Sequence, residues 1–415
     1  MSEKSTEHGT TSSPTWDTLG GWLRAKLQAW VQVLLDEELT ELLGRQKSER
    51  RAKVDGAPGY RNGHGKPRRL STPVGTITVR RPRPRNLETR FVSRILPLFC
   101  RRTQEVGELL PRLYLHGLAL GDFDLALRGL LGEGAPLSPS SIARLRGKWE
   151  AEYQAWRERS WAAAEVVYLW ADGIYVKAGL EREKAALLVV IGALRDGTKV
   201  LLAVESGYRE STAAWGAVLR DLKARGLPAP VLAIGDGHLG LWGALREVFP
   251  TTAEGRCWNH KLTNVLEQLP QRLRAQAGTL LRTLPGAETQ AECERRREQF
   301  ARRYGRAYPK AVETLARDWD RLVTFYRFPR AHWKHLRTTN IVESPFAAVR
   351  LRTGAAKRFK NVTNATALIW KVLRVAEFRF RKLDAPQLLA EVADGAAFAD
   401  GERISNHQPL RRLAA

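Results

Sequence analysis

The run Val166-Val167-Tyr168-Leu169-Trp170-Ala171-Asp172-Gly173-Ile174-Tyr175-Val176 constrains this chain more than any other stretch. β-Branched and aromatic residues at this density read as a buried strand. Asp172 interrupts it, and a charge inside a buried strand is costly unless something offsets it. Taken alone, Asp172 reads as a turn aspartate at a strand end. The pattern recurs in Val231-Leu232-Ala233-Ile234-Gly235-Asp236-Gly237, again a short apolar strand, an aspartate and a glycine. A third acid, Glu343, closes Arg337-Thr338-Thr339-Asn340-Ile341-Val342-Glu343, which leads into a helical pattern. Two aspartates from strand ends and a glutamate from a helix form one acidic cluster if the fold brings them together. Packed carboxylates repel unless cations neutralise them, and hard divalent ions prefer such oxygen ligands. Two metals held this way support in-line phosphoryl chemistry.

A chain of 415 residues is too long for one ordinary core, so two or more domains are expected. The net charge of +24, from 68 basic and 44 acidic residues, points to a polyanionic partner, with DNA, RNA and ribosomes all compatible. Cys100, Cys257 and Cys293 are odd in number and scattered, which argues against a disulfide framework and fits a reducing compartment. No Cys-x-x-Cys pair offers a thiolate zinc site, and no apolar run approaches the ~18 residues of a membrane span. The polar, Ser/Thr-rich start lacks the apolar core of a secretory signal, so a cytoplasmic location is expected.

Residues 1–15 read as disordered. Residues 16–160 read as a mostly helical DNA-binding region with a small hairpin near 70–85. Its first helix, 16–43, carries Trp22, Leu23, Leu27, Trp30, Val31, Leu34 and Leu35 as an apolar stripe and stops at Gly44. Residues 45–69 read as a basic loop, either following a phosphate backbone through Arg61, Lys66, Arg68 and Arg69 or simply solvated. Helical pattern resumes at Phe91. A break at 132–136 leaves two short helices, the second opening at Ser138-Pro139 and carrying Arg144, Arg146 and Lys148. These fit a helix-turn-helix-like DNA module or ordinary helical packing.

The central region is more regular. Strands are expected at 166–176, 185–194 and 199–204, with a hairpin turn at Arg195-Asp196-Gly197-Thr198. A helix capped by Ser211 runs to about Arg225, followed by a strand at 231–234, a helix at 239–249 and a strand at 252–258. Short turns make the first three strands antiparallel, and helical crossovers allow parallel neighbours for the last two. The first and fourth strands then lie adjacent, and Asp172 and Asp236 meet at one sheet edge. Residues 259–335 read as an all-helical insertion, and 336–384 as the returning segment that carries Glu343 on a helix from 340 to 350. The tail, 385–415, is weakly patterned.

At this point a resemblance enters. The chain resembles the IS256 and Mutator-like family of bacterial transposases from about Gly59 to Lys382. The motifs are Gly59-Tyr60-Arg61-Asn62-Gly63, Ala171-Asp172-Gly173-Ile174-Tyr175-Val176, Ile234-Gly235-Asp236-Gly237, Arg256-Cys257-Trp258-Asn259-His260-Lys261-Leu262-Thr263-Asn264-Val265 and His332-Trp333-Lys334-His335-Leu336-Arg337-Thr338-Thr339-Asn340-Ile341-Val342-Glu343-Ser344. The resemblance implies an α/β, RNase H-like mixed-sheet core interrupted by an all-helical insertion. It implies a catalytic, metal-binding DDE triad of Asp172, Asp236 and Glu343, and its Cys-x-x-His motif falls on Cys257 and His260. It implies a DDE transposase of an insertion sequence that binds terminal inverted repeats and catalyses strand cleavage and transfer, near the bacterial nucleoid. The expected cofactor is two Mg²⁺ ions, with Mn²⁺ as a substitute. The expected partner is double-stranded DNA, held by a homodimer when two ends are paired, with no membrane. The alternatives are a nuclease of the same fold that cuts without joining, or a catalytically silent DNA-binding derivative.

Around the triad several residues carry two readings. Cys257 and His260 form a soft pair without a matching second pair, so DNA contact, site support and packing stand beside zinc. Arg337 and Asn340 touch phosphate or orient Glu343, unless Asn340 only caps its helix. His238 reads as a local hydrogen-bonder, and Trp258 and Trp333 as base stackers or core residues.

Overall fold

The computed structural model describes residues 13–50, 59–119, 122–131, 139–179, 184–207, 209–237 and 239–404. Residues 1–12 and 405–415 of the terminal segments lie outside those residues, as do His238 and the expected helix break at 132–136, whereas 385–404 of the weakly patterned tail are described. The chain divides into two units, 1–144 and 145–415.

In the first unit, α1 (Leu19–Leu43) ends on Gly44 in the left-handed conformation, φ 61°. Its buried residues lie in the second half, at Leu35, Glu38, Leu39 and Leu43, whereas Trp30 is 62% exposed. Four strands follow: β1 (Tyr60–His64), β2 (Arg68–Thr72), β3 (Gly75–Val79) and β4 (Pro82–Arg85). β2 and β3 form the expected hairpin, while β1 pairs antiparallel with β4. The basic loop therefore becomes strand at its end. β1 is exposed or half-buried throughout, so Tyr-Arg-Asn-Gly-His shows no apolar alternation to read. A small core of Leu35, Leu70, Ile77, Val79 and Leu96 joins helix and hairpin.

Helix was expected from Phe91, but α2 (Gln104–Leu115) begins later. The preceding segment is irregular because buried Glu38 holds it, accepting from Ser93 Oγ and the Arg94 amide, both at 2.5 Å. α3 (Phe123–Leu131) and α4 (Pro139–Arg157) follow, and the division between units falls inside α4. The second part of α4 packs within the second unit. Tyr153 Oη donates to Val204 O at 2.6 Å, and Tyr153 and Trp156 stack on each other and meet Trp370 at tilted angles.

The second unit is built on a five-stranded mixed sheet: β5 (Val166–Val176), β6 (Ala185–Leu194), β7 (Lys199–Gly207), β8 (Leu232–Gly235) and β9 (Ala253–Arg256). The strand order is β7-β6-β5-β8-β9. β6 lies between β5 and β7 and runs antiparallel to both, and β8 joins β5, and β9 joins β8, in parallel. The β6–β7 turn places Gly197 at φ 83°, and Asp196 accepts from the Thr198 amide and hydroxyl. α5 (Thr212–Ala224) starts at Ser211, whose Oγ accepts from Ala214 N at 3.2 Å, and α6 (Leu239–Val248) packs beside it.

Alternation along β5 sorts its side chains between two faces. Leu169 and Ala171 join the core under α5 and α6, with Trp215, Leu219, Trp242 and Leu245. Tyr168 and Trp170 point the other way, to His332 and to the His335 carbonyl. The chain after β9 runs through α7 (Trp258–Glu267), α8 (Gln271–Thr283), α9 (Gln290–Tyr304) and α10 (Pro309–Ala316), which pack on one another, and then α11 (Trp319–Val323), α12 (Trp333–Leu336) and α13 (Asn340–Glu343), of which α11 meets β9 and α13 meets β5 and β6. The helix expected over 340–350 is broken. Pro345 has no amide hydrogen to bond the preceding turn, and α14 (Phe346–Ala356) restarts after it. α15 (Val362–Glu377) lies on β7, and α16 (Gln387–Ala393) and a two-residue hairpin, β10 (Phe398–Ala399) with β11 (Glu402–Arg403), complete the unit.

Candidate active site

The parallel register sets the site. Ala171 on β5 pairs with Gly235 on β8, and Gly235 pairs with Arg256 on β9. The residue after each of these is Asp172, Asp236 and Cys257. Three chemistry-bearing side chains therefore stand in a row across adjacent strands: Asp236 and Cys257 directly after the ends of β8 and β9, and Asp172 within β5, which runs on to Val176 beside β6; Cys257 N still bonds Gly235 O at 2.8 Å.

Asp172 is 8% exposed, on the face that also carries Tyr168 and Trp170. Its carboxyl oxygens lie with those of Asp236 and Glu210 in a group whose ligand atoms are all within 4.8 Å of one another. Burial raises the Asp172 acid to about 7. Asp236 adds to this, the Gly173 amide at 2.8 Å opposes it, and Glu210 and Glu343 raise it further. A cation among these oxygens relieves both burial and repulsion, and all the donors are hard, so the set fits a divalent metal of the Mg²⁺ class.

Glu210 was not singled out from the sequence. It sits between β7 and α5, directly before the Ser211 cap, where an acid is ordinary because it complements the helix dipole. Nothing local separates that role from a place in the site. Gly173 makes room for it: a Cβ there would stand 2.5 Å from Glu210 Oε1. Tyr175, 42% exposed, bonds the Glu210 carboxylate, which with burial pushes the phenol up to about 12.

Glu343 occupies a neighbouring place. α13 packs on β5 and β6, and the Glu343 carboxylate is near enough to act on Asp172. Its Oε1 accepts from Thr339 Oγ1 and lies 3.8 Å from His260 Nδ1. Cys257, His260 and Glu343 form a second group with ligand atoms within 4.8 Å of one another. The Cys257 sulfur beside His260 raises its ring to about 9 against the opposing effect of burial, with Glu343 and Asp236 adding to the rise.

Behind the row lies a buried charge network. Arg256, 7% exposed, pairs with Asp318, which also meets Arg321 at 2.7 Å and Lys261 at 3.6 Å. Lys261 Nζ also donates to Thr314 O at 2.7 Å, tying α7 to the end of α10. Gly237 adopts φ 102° with its α-carbon against the Arg256 guanidinium, where a Cβ would come within 2.4 Å of Cζ.

The remaining expected residues fall variously. Arg337 lies over the Phe325 and Trp333 rings at 4.9 and 5.2 Å, and its carbonyl accepts from Trp258 N. Asn340 does not cap its helix, since Thr339 holds that position; its Oδ1 accepts from Asn259 Nδ2 at 3.3 Å. Trp258 and Trp333 are buried, with indole nitrogens bonded to Leu322 O and Phe328 O, so both are core residues. In the first unit, Arg61 and Arg68 serve the fold: Arg61 donates to Thr40 Oγ1 and Arg45 O, and Arg68 to Cys100 O. Lys66 and Arg69 are exposed. Lys66, Arg81, Arg83, Arg85 and Arg90 line an open cleft of about 600 Å³. Arg144, Arg146 and Lys148 lie on α4, where Lys148 faces Glu152 at 3.8 Å.

The five-stranded mixed sheet with helices packed against it is that of an α/β protein. Comparison with known sequences supplies the family. The model of the Mutator family of transposases matches residues 3–382, and the chain belongs to that family. It is 47% identical over 299 residues to the transposase for insertion sequence element IS6120 of Mycolicibacterium smegmatis, covering 72% of this chain and 93% of the relative. It is 41% identical over 278 residues to the transposase for IST2 of Acidithiobacillus ferrooxidans, covering 66% of this chain and 94% of that one. The transposase for ISRM5 of Rhizobium meliloti is 31% identical over 350 residues, covering 84% and 85%.

Proposed function

We propose that this protein binds the terminal repeats of an insertion sequence and catalyses divalent-metal-dependent DNA strand cleavage and strand transfer from an RNase H-like core. The carrying observation is the convergence of Asp172 and Asp236, with Glu210, where β8 ends beside the middle of parallel β5. The strand order and the helical segment between β9 and α13 support the core assignment.

Asp172, Asp236 and Glu210 would hold Mg²⁺, with Glu343 as the further acid from α13. Bound Mg²⁺ supplies Lewis-acid chemistry, activating a hydroxyl nucleophile and stabilising the leaving oxygen. The chain's own residues fix where that chemistry happens. Asp172 and Asp236 are held by the rigid register of β5 and β8. Tyr175 orients Glu210, and Thr339 orients Glu343. In the first step water attacks a phosphodiester at the element end, one P–O bond forms as another breaks, and a 3′-hydroxyl is released. In the second, that 3′-hydroxyl attacks a phosphodiester of the target and the target's own 3′-oxygen leaves with a proton. No protein nucleophile enters either step. The exposed Lys66 and Arg69 and the basic cleft beside them would contact backbone phosphates, and two copies would hold two ends.

The test is incubation of the purified protein with labelled element ends and target duplex, in Mg²⁺ and in EDTA. Joined products that depend on Mg²⁺ support the reading. Nicked ends without joining replace it with a nuclease, and binding without either product replaces it with a DNA-binding derivative.

A further inference from the structure

Cys257, His260 and Glu343 bring a sulfur, a nitrogen and an oxygen donor within 4.8 Å of one another. Cys257 is the N-cap of α7, and His260 stands three residues on, so both side chains lie over the same first turn. Glu343 arrives from far along the chain. Its segment is pinned to this turn by two bonds, Trp258 N to Arg337 O at 2.8 Å and Thr339 N to Cys257 Sγ at 3.4 Å. The His260 ring is 39% exposed, but its Nδ1 atom is buried; it lies beside the Cys257 sulfur and faces Glu343 Oε1 at 3.8 Å. It is thus a buried ligand nitrogen aimed into the group.

The donor types distinguish this group from the carboxylates beside it. Mg²⁺ takes oxygen, whereas a thiolate, an imidazole and a carboxylate together suit zinc and its neighbours. Three protein ligands with a fourth position left open is a common zinc arrangement. With metal–ligand bonds of about 2.0–2.3 Å, tetrahedral donors stand roughly 3.3–3.8 Å apart, so small rotations of the ring and carboxylate close the set.

We propose that Cys257, His260 and Glu343 form a binding site for a zinc-class divalent ion, and that its occupancy holds the Glu343 carboxylate away from Asp172, Asp236 and Glu210. Binding displaces the thiol proton to solvent and leaves the fourth position to water. Zinc-class ions then inhibit the Mg²⁺ reaction by engaging one of its acids. This second half rests on the reading of Glu343 as a catalytic acid; the binding itself does not.

The full-length protein, freed of metal, is titrated with Co²⁺ and its absorption recorded. The expected result is one equivalent of Co²⁺ giving a thiolate-to-cobalt charge-transfer band and tetrahedral visible bands, displaced by Zn²⁺ and unaffected by excess Mg²⁺. The charge-transfer band disappears in Cys257→Ser and persists in Asp172→Asn. Because Cys257 is fully buried and its substitution can disturb folding, His260→Gln is read alongside, with Co²⁺ affinity expected to fall at least about tenfold. No thiolate band, or a band that survives Cys257→Ser and so belongs to Cys100 or Cys293, overturns the site. Zn²⁺ should also suppress Mg²⁺-dependent cleavage. A cobalt site with undiminished cleavage overturns the sequestration of Glu343. Absence of cleavage under all conditions counts against the transposition chemistry and leaves the spectroscopic result standing.

Discussion

Two glycines set the geometry of the acidic edge more than the acids themselves. Gly173 allows the Glu210 carboxylate to reach Asp172, and an added Cβ would displace the end of a flexible side chain rather than backbone. Gly173→Ala is therefore expected to leave the melting temperature nearly unchanged while weakening divalent-metal affinity. Calorimetric Mn²⁺ titration and a thermal melt on the same sample check this, and a large loss of stability would contradict it. Gly237 differs, because both its φ of 102° and the Arg256 guanidinium exclude a side chain. Gly237→Ala is expected to cost about 1–3 kcal/mol in denaturant unfolding. The sequence showed the two aspartates because each ends an apolar run before glycine. It did not show Glu210, whose position before a helix cap is where acids commonly stand.

Among elements, strands were legible and long-range docking was not. The ranges of β5 and β6 and the order of the sheet follow from apolar runs and short turns. The break between α13 and α14 was readable in principle from Pro345. The irregular segment before α2 was not, because it depends on Glu38, an acid on a helix whose burial only the fold decides. The elements between β9 and α13 carry a pH dependence. His332 is fully buried, accepts from Tyr168 Oη at 2.9 Å and faces Ala385 O at 3.2 Å, so burial holds it neutral with its pKa lowered. Burial, with Lys199 beside it, lowers His335 to about 4, against the opposing pull of Asp384. At these two histidines the unfolded chain takes up protons below pH 6.5 that the folded chain refuses, so their contribution to stability falls as pH drops from 6.5 toward 4, while Asp172, raised to about 7, acts in the opposite sense over the same range. For His335 the loss is on the order of 2–3 kcal/mol. Denaturant midpoints at pH 7 and pH 5 for the parent and for His335→Asn read it: the variant should be more stable at pH 5 relative to pH 7 than the parent is, and an identical pH difference in the two would remove His335 as a source. α15 offers a simpler test. Asn361 Oδ1 accepts from Asn364 N at 2.8 Å, and Asn361→Ala should cost about 1 kcal/mol by the same unfolding measurement.

For the whole molecule, a net charge of +24 makes electrostatics the main term in DNA affinity. Binding to duplex DNA is expected to weaken steeply with salt, by roughly 10³-fold between 50 and 200 mM for a footprint of several phosphates, and a flat salt profile would argue against backbone recognition. The charge was plain in the sequence, but its assignment to residues was not. Arg61 and Arg68 look alike with Lys66 and Arg69 in the chain, yet the fold uses the first two for internal hydrogen bonds and leaves the others exposed. Family membership sets the class of the molecule, and Asp172 within β5 and Asp236 after β8 are proposed as the seat of its chemistry. The most direct measurement compares strand joining in Mg²⁺ by the parent protein and by Asp172→Asn and Asp236→Asn, with DNA affinity and melting temperature recorded for each. Joining is expected to fall by roughly a hundredfold or more in both variants while DNA binding and folding persist. Variants that join ends as fast as the parent would contradict it.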